Sequence, residues 1–393
     1  MTASSEFRDD ERAAAVDVPK RKRELDSLRG LAALSVLMYH ALALNSGQLA
    51  AGLGLRPVVS TWASALVYTP LHVAWLGAEA VLFFFVLSGF VLTKLASRPA
   101  FDFGAYVPGR LARLYLPVFA AVGLALLSFV FPHIPREGID PGIATSYPVT
   151  SVLSDLTLLG GTSTSLGVLW SLQWEVLFSL LLPLYLVIGR KRPVLTTAGA
   201  AVLCLLGWAW NVPSLSYLPV FFFGVVLAQN WSRVEERFRF LRTKSVLSHL
   251  VAFLLLLAAL CGLTSYFLVG HRVPSWLITP RVATLPLVVG SIVIVMILAQ
   301  MWQPLKRILN VWPLRFLGDI SFSLYLVHLP IVVTAIFVFG SGGVAAVSGV
   351  CVAIGLAVLF YFGVEKPTHR LSKRINQRMY AMRAERAQSA GRQ

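Results

Sequence analysis

The stretch RELDSLRGLAALSVLMYHALAL, residues 23–44, sets an arginine and a histidine into what otherwise reads as lipid-embedded helix. Arg29 and His40 are eleven residues apart, which is three helical turns plus about 20°, so both project from one face about 16 Å apart. Ionisable groups at membrane depth are costly and are kept where they find a partner or do chemistry. A neutral histidine in a protein-lined cavity is a natural general base. The alternative is a snorkelling arginine and a histidine bonded between helices. Glu175, in LWSLQWEVLFSLLLPLY, is a second such group, with Ser171 one turn away on the same face. It is either a packing carboxylic acid or a partner for a histidine or a substrate hydroxyl. In GRLARLYLP, Arg110 and Arg113 share a helix face. Two guanidinium groups suit phosphate, and they suit anionic lipid heads equally. GAEAVLFFFVLSGFVLTKL carries Glu79, Ser88 and Gly89, the glycine suiting close helix approach. FLGDISFSLYLVHLPI puts Ser321, Tyr325 and His328 on one stripe, where His328 serves as well for a core hydrogen bond as for catalysis.

These groups need elements to hold them, and composition says which. The chain is 57% hydrophobic and 13% charged, with a mean hydropathy of +0.73. Soluble domains carry roughly 25% charged residues. A chain this apolar cannot present its surface to water, so the reading is an all-α, polytopic membrane bundle. The three cysteines, Cys204, Cys261 and Cys351, fall in apolar runs without metal spacing and read as packing residues. No metal motif, P-loop, dinucleotide fingerprint or GxSxG elbow is present, and no metal is expected.

Apolar runs lie near 28–44, 75–95, 114–132, 168–188, 194–212, 215–231, 246–269, 282–302, 317–339 and 343–363. They predict about ten transmembrane helices, each needing about 20 residues. The segment 55–74, broken by Pro57 and Pro70, reads as interfacial or re-entrant, and 151–159 is too short to span. With the N-terminus inside, 29 of the 34 lysines and arginines fall on that side, and only Arg56, Arg136, Arg272 and Arg281 outside. The positive-inside rule then places both termini in the cytoplasm. The net charge of +16 is accordingly topology and contact with anionic membrane lipids, not a nucleic-acid footprint. Three regions result: a disordered cytoplasmic tail at 1–24, a transmembrane domain at 25–365 and a basic cytoplasmic tail at 366–393. The outer loop 131–167, rich in Pro, Gly and Ser, is placed to line or cover a site.

Together, RELDSLRGLAALSVLMYH, FFFVLSGFVL, RLARLYLP, WSLQWEVLFSLLLP, SFSLYLVHLP and VEKPTHRL resemble the membrane acyltransferase-3 family, in family order and across roughly residues 23 to 370. The resemblance implies a multi-pass protein of the cytoplasmic (inner) membrane. It implies transfer of an acyl group, usually acetyl, from acyl-CoA to a hydroxyl of a carbohydrate-containing acceptor such as a surface or exported polysaccharide. A macrolide-type metabolite is the alternative acceptor. The family's arginine-to-histidine spacing is met by Arg29 and His40, its paired arginines by Arg110 and Arg113, and its membrane glutamate by Glu175. Glu79 stands at a variable position. Members often carry an added extracytoplasmic domain; none is expected here, so the membrane domain would handle the acceptor.

Resemblance and residues together give an expected mechanism. His40 and Glu175 are the catalytic candidates, His40 taking the acceptor's proton. Arg29, Arg110 and Arg113 hold the donor at the cytoplasmic mouth. Asp26, Ser88, Ser171, Tyr325 and His328 support. Depth arithmetic brings His40 and Glu175 to one level, so they are expected to meet in one polar cavity. Direct transfer and an acyl-enzyme relay through Ser or Tyr both stay open. The competing class is an exporter of a glycan, lipid or metabolite using the same buried charges as a proton relay.

Overall fold

A computed structural model describes residues 22–390, apart from 100, 132, 135–138, 141, 159–160 and 274–278. Most of the expected N-terminal tail, residues 1–21, therefore lies outside the described residues, as does Arg136. The described residues are mostly helical, with no strand among them. Every one of the ten apolar runs carries a helix. These are α1 (Arg23–Ala43), α4 (Ala78–Ala96), α5 (Phe103–Ser128), α7 (Trp170–Lys191), α8 (Pro193–Ala209), α9 (Pro213–Gln229), α11 (Val246–Leu263), α12 (Pro280–Met301), α15 (Ser321–Phe339) and α16 (Gly343–Phe360). Between them lie the short helices α2 (Gly47–Leu53), α3 (Thr61–Val67), α6 (Val149–Thr157), α10 (Trp231–Arg237), α13 (Gln303–Leu309) and α14 (Trp312–Asp319). A long α17 (Lys366–Ala390) follows. Among the described residues, seven helices are long and apolar enough to cross a bilayer. The first qualifies only together with α2, to which it is bent by 119°. The helices α8 and α9 fall short in length.

The segment after α1 does not span. It folds as α2, α3 and a 3-10 turn (Pro70–Trp75), closed over a small separate core of Leu49, Ala63, Val67, Trp75 and Phe267. The α1 helix begins at Arg23 with Glu24 buried, so residues 23–24 belong to the bundle rather than to a tail.

Two backbone crossings set the frame. A methyl group on Gly224 of α9 would overlap the Val86 carbonyl of α4, and one on Gly89 of α4 the Phe221 carbonyl of α9. The stretch holding Ser88 is thus pinned by glycine contact, as small residues do where helices pack in lipid. Gly224→Val is expected to lower thermal stability by about 1–3 kcal/mol, the cost of overpacking. Thermal unfolding in detergent checks it; an unchanged midpoint would show that the crossing is loose. The second crossing joins α1 to α14. A methyl on Gly30 would meet the Gly318 backbone, and one on Gly318 the Asp26 backbone.

Two boundaries differ from the sequence reading. The run 317–339 is two helices broken at Ile320, which frees the Gly318 carbonyl for Ser321 Oγ at 2.8 Å and Arg29 at 3.3 Å. The third apolar run begins earlier than hydropathy suggests. Asp102 caps Ala105 N at 2.8 Å, and α5 starts at Phe103 despite Pro108 and Pro117. Arg110 and Arg113 therefore lie about 10–15 Å into a helix, on one face as expected but farther from its start than the hydropathy run implies. The basic C-terminal segment is helical and packs along α5, with Ser372 Oγ donating to Gly109 O at 2.6 Å and Arg383 pairing with Asp102 at 3.1 Å.

Candidate active site

A cavity of about 230 Å³ lies among α1, α4, α5, α7, α15 and the turn before α17. Its polar lining is Arg29, Ser88, Arg110, Arg113, Ser171, Glu175, Ser321, Tyr325 and Glu365. Eight of the residues singled out in sequence thus share one wall system. The remainder is apolar, including Phe84, Leu87, Val91, Leu92 and Phe322.

Each charge in it is held. Arg29 bonds Ser321 Oγ at 2.9 Å through Nε and pairs with Asp26 at 3.3 Å, one turn earlier on α1. Arg110 pairs with Glu175 and donates through Nε to Ser179 Oγ at 3.2 Å. Ser88 Oγ donates to the same Glu175 oxygen at 2.6 Å. Both partners of the Arg110–Glu175 pair are largely buried. Such a pair survives desolvation only when further hydrogen bonds fill its remaining sites, as Ser88 and Ser179 do here.

The layer above is neutral. Tyr325 donates to Val168 O at 3.0 Å and meets Ser171 Oγ at 2.8 Å. Its ring lies 5.9 Å from that of His328, which is fully buried. His328 Nε2 stands 3.1 Å from His40 Nδ1. The tautomers follow from the carbonyls, which only accept. His328 Nδ1 is 3.0 Å from Leu324 O, so it carries a proton and His328 Nε2 accepts. His40 Nδ1, 3.0 Å from Val36 O, then carries the proton it shares between that carbonyl and His328. His40 Nε2 is left as a bare lone pair with no hydrogen bond among the described residues, on a half-buried side chain.

The expected meeting of His40 and Glu175 does not occur. His40 takes His328 as its ring partner, and Glu175 takes Arg110 and Ser88. Ser171 and Tyr325 occupy the layer between. Equal depth counted from helix ends failed because the loop before α7 packs inward. Leu158, Leu166 and Leu169 are fully buried, and Val168 O reaches Tyr325. That loop is tied by buried Asp155, which accepts from Tyr147 OH, Ser163 N and Ser163 Oγ, each at 2.6 Å.

An acyltransferase domain of the acyltransferase-3 type matches residues 22–362, most of the chain and every residue just described except Glu365. The chain belongs to the acyltransferase-3 family. Within it, Acyltransferase MdmB of Streptomyces mycarofaciens is 29% identical over 344 residues, covering 77% of this chain and 83% of that protein. No solved structure matches the chain. The protein is accordingly an acyltransferase with a multi-pass membrane architecture.

For an acyltransferase-3 protein, the residues that sequence reasoning missed are as telling as those it found. Glu365 lines the cavity with Oε2 accepting from Ser323 N at 3.0 Å and Ser323 Oγ at 2.5 Å, and Oε1 3.5 Å from His369. It ends a π-helical turn, Tyr361–Glu365, a distortion common at functional sites. Its signal was present in VEKPTHRL, where a carboxylate and a proline close the last apolar run. Asp155 had no signal, being one acid in a polar loop.

Proposed function

We propose that this protein is an O-acyltransferase that moves an acyl group, in the first instance acetyl, from acyl-CoA to a hydroxyl of a carbohydrate-containing acceptor, with His40 as general base. The observation that carries the reading is the tautomer lock on His40. Its Nδ1 proton is engaged by Val36 O and His328, which leaves Nε2 free to accept.

The acceptor O–H gives its proton to His40 Nε2 as the oxygen attacks the thioester carbon. The C–S bond breaks, and the imidazolium returns the proton to the leaving sulfur. No side chain is consumed. The positive charge gained on His40 is shared toward His328 Nε2, an acceptor placed at 3.1 Å.

The cavity supports a thioester donor. Arg29, Arg110 and Arg113 outnumber Glu175 and Glu365, which leaves a net positive lining beside an apolar strip. At about 230 Å³ it falls below the ~300–1,000 Å³ usual for drug-sized ligands. It suits the pantetheine arm, while the phosphates of the nucleotide stay at the arginines. Tyr325, between this cavity and His328, is the gate past which the acyl carbon reaches His40. Glu175 positions Arg110 and the Ser88 hydroxyl rather than His40.

The acceptor side is aromatic. Tyr39 stands edge-on to His40 at 5.1 Å. Near it Glu79, Trp208, Tyr266 and Arg281 line a recess of only about 30 Å³, room for a water rather than a sugar ring, with the Arg281 guanidinium 5.5 and 5.1 Å over the two aromatic rings. The protein would sit in the cytoplasmic membrane with both termini inside.

Comparative mass spectrometry of surface glycans and secreted metabolites, with and without the gene, tests this. The expected result is an acceptor lighter by one acyl group in its absence. An acceptor of unchanged mass that merely accumulates inside would mark an exporter instead.

A further inference from the structure

A second cavity, of about 620 Å³, opens at the other side of the α1 start, between α1, α10, α12 and α13. Four cations line it: Lys22, Arg23, Arg242 and Lys306. Its two carboxylates are already engaged, Glu24 with Lys306 at 3.6 Å and Glu235 with Arg242 at 2.8 Å. Lys22 and Arg23 have no carboxylate partner among the described residues. Lys22 is instead held by the Gln300 side chain and by the faces of Trp231 and Phe90, at 4.7 and 5.5 Å. Lys94 shares the Phe90 face at 5.9 Å, and Lys94 and Lys306 repel the Lys22 charge while Glu24 and Glu235 attract it from a distance. These cations also crowd the N-terminal end of α1, where the helix dipole disfavours positive charge. A chain arranged this way gains from an anion that settles among them.

We propose that this cavity binds the phosphate of an anionic phospholipid head group from the inner leaflet. Two features favour lipid over nucleotide. Trp231 is buried with Lys22 over its face, so it offers a nucleobase no stacking surface. Exposed apolar side chains, Phe240, Val246, Leu247 and Ile308, stand two to five residues along the chain from its cations. We infer that they offer acyl chains a surface next to the phosphate site. Basic pockets between helix ends on the cytoplasmic side are the usual form of head-group sites. The site is separate from the acyl-transfer cavity, whose lining contains none of these cations, and does not depend on the donor assignment.

The test uses the full-length protein in a neutral detergent, titrated with phosphatidylglycerol or phosphatidylcholine and read by native mass spectrometry and thermal midpoint. Phosphatidylglycerol should be retained and raise the midpoint; phosphatidylcholine should do neither. Each cation removed is expected to weaken phosphatidylglycerol binding about fivefold, so Lys22→Gln with Arg23→Gln gives about 25-fold. Arg23→Gln alone, at an exposed position, carries the test if the double variant misfolds. Equal binding of both lipids, or unchanged phosphatidylglycerol affinity in a folded variant, overturns the proposal. Displacement of the lipid by adenosine 3′,5′-bisphosphate would also overturn it and assign the cavity to the donor nucleotide.

Discussion

His40→Ala is expected to insert and fold normally and to lose acyl transfer by about 10² to 10⁴, the usual contribution of a general base. Folding should be spared because the half-buried ring makes one inter-helix hydrogen bond, to His328, and its other bond lies within α1. The comparison with His328→Ala sharpens the point. That variant removes a tautomer-setting partner but leaves the His40 Nδ1 proton on Val36 O. It should therefore retain more activity than His40→Ala while losing more stability, since His328 is fully buried. Single-turnover transfer from acetyl-CoA, alongside thermal unfolding, reads both effects. Near-normal turnover in His40→Ala would remove it from the mechanism, and an equal loss in both variants would make the pair a joint catalytic unit.

The second large effect concerns the Arg110–Glu175 pair. Removing one partner of a buried ion pair strands the other and costs about 3–5 kcal/mol. Arg110→Gln leaves Glu175 with only the Ser88 hydroxyl, and Glu175→Gln leaves Arg110 with only Ser179. Each single variant should therefore be strongly destabilised. The double variant should recover most of the loss, because two amides can bond to each other where the ions did. Donor affinity should not recover, since one of three cavity cations is gone. A double-mutant cycle on thermal stability, with donor binding measured by calorimetry, separates the two. Strict additivity would mean that the pair is not coupled. Recovered donor affinity would show that Arg110 serves the fold alone. Arg113 lines the same cavity outside that pair, so Arg113→Gln should also weaken donor binding.

The sequence by itself determined the class of molecule. Low charge and long apolar runs leave the backbone no option but helix in a bilayer, and all ten runs are helical. It also marked most of the residues that line the candidate site, because a charge inside an apolar run stands out whatever the fold. Arg29, Arg110, Arg113, Glu175 and His40 were legible for that reason. What only the tertiary structure decided is which of them meet. Depth along a helix follows from counting residues, but the pairing of side chains depends on where each helix starts, tilts and breaks. The early start of α5 carried Arg110 up to Glu175. The inward loop before α7 put Ser171 and Tyr325 between Glu175 and the histidines. The break at Ile320 turned Gly318 and Ser321 onto Arg29. His40 and His328 lie 288 residues apart in sequence, and nothing local in either helix specifies the other. Their hydrogen bond exists because α1 and α15 pack side by side, and that contact sets which nitrogen of His40 is free.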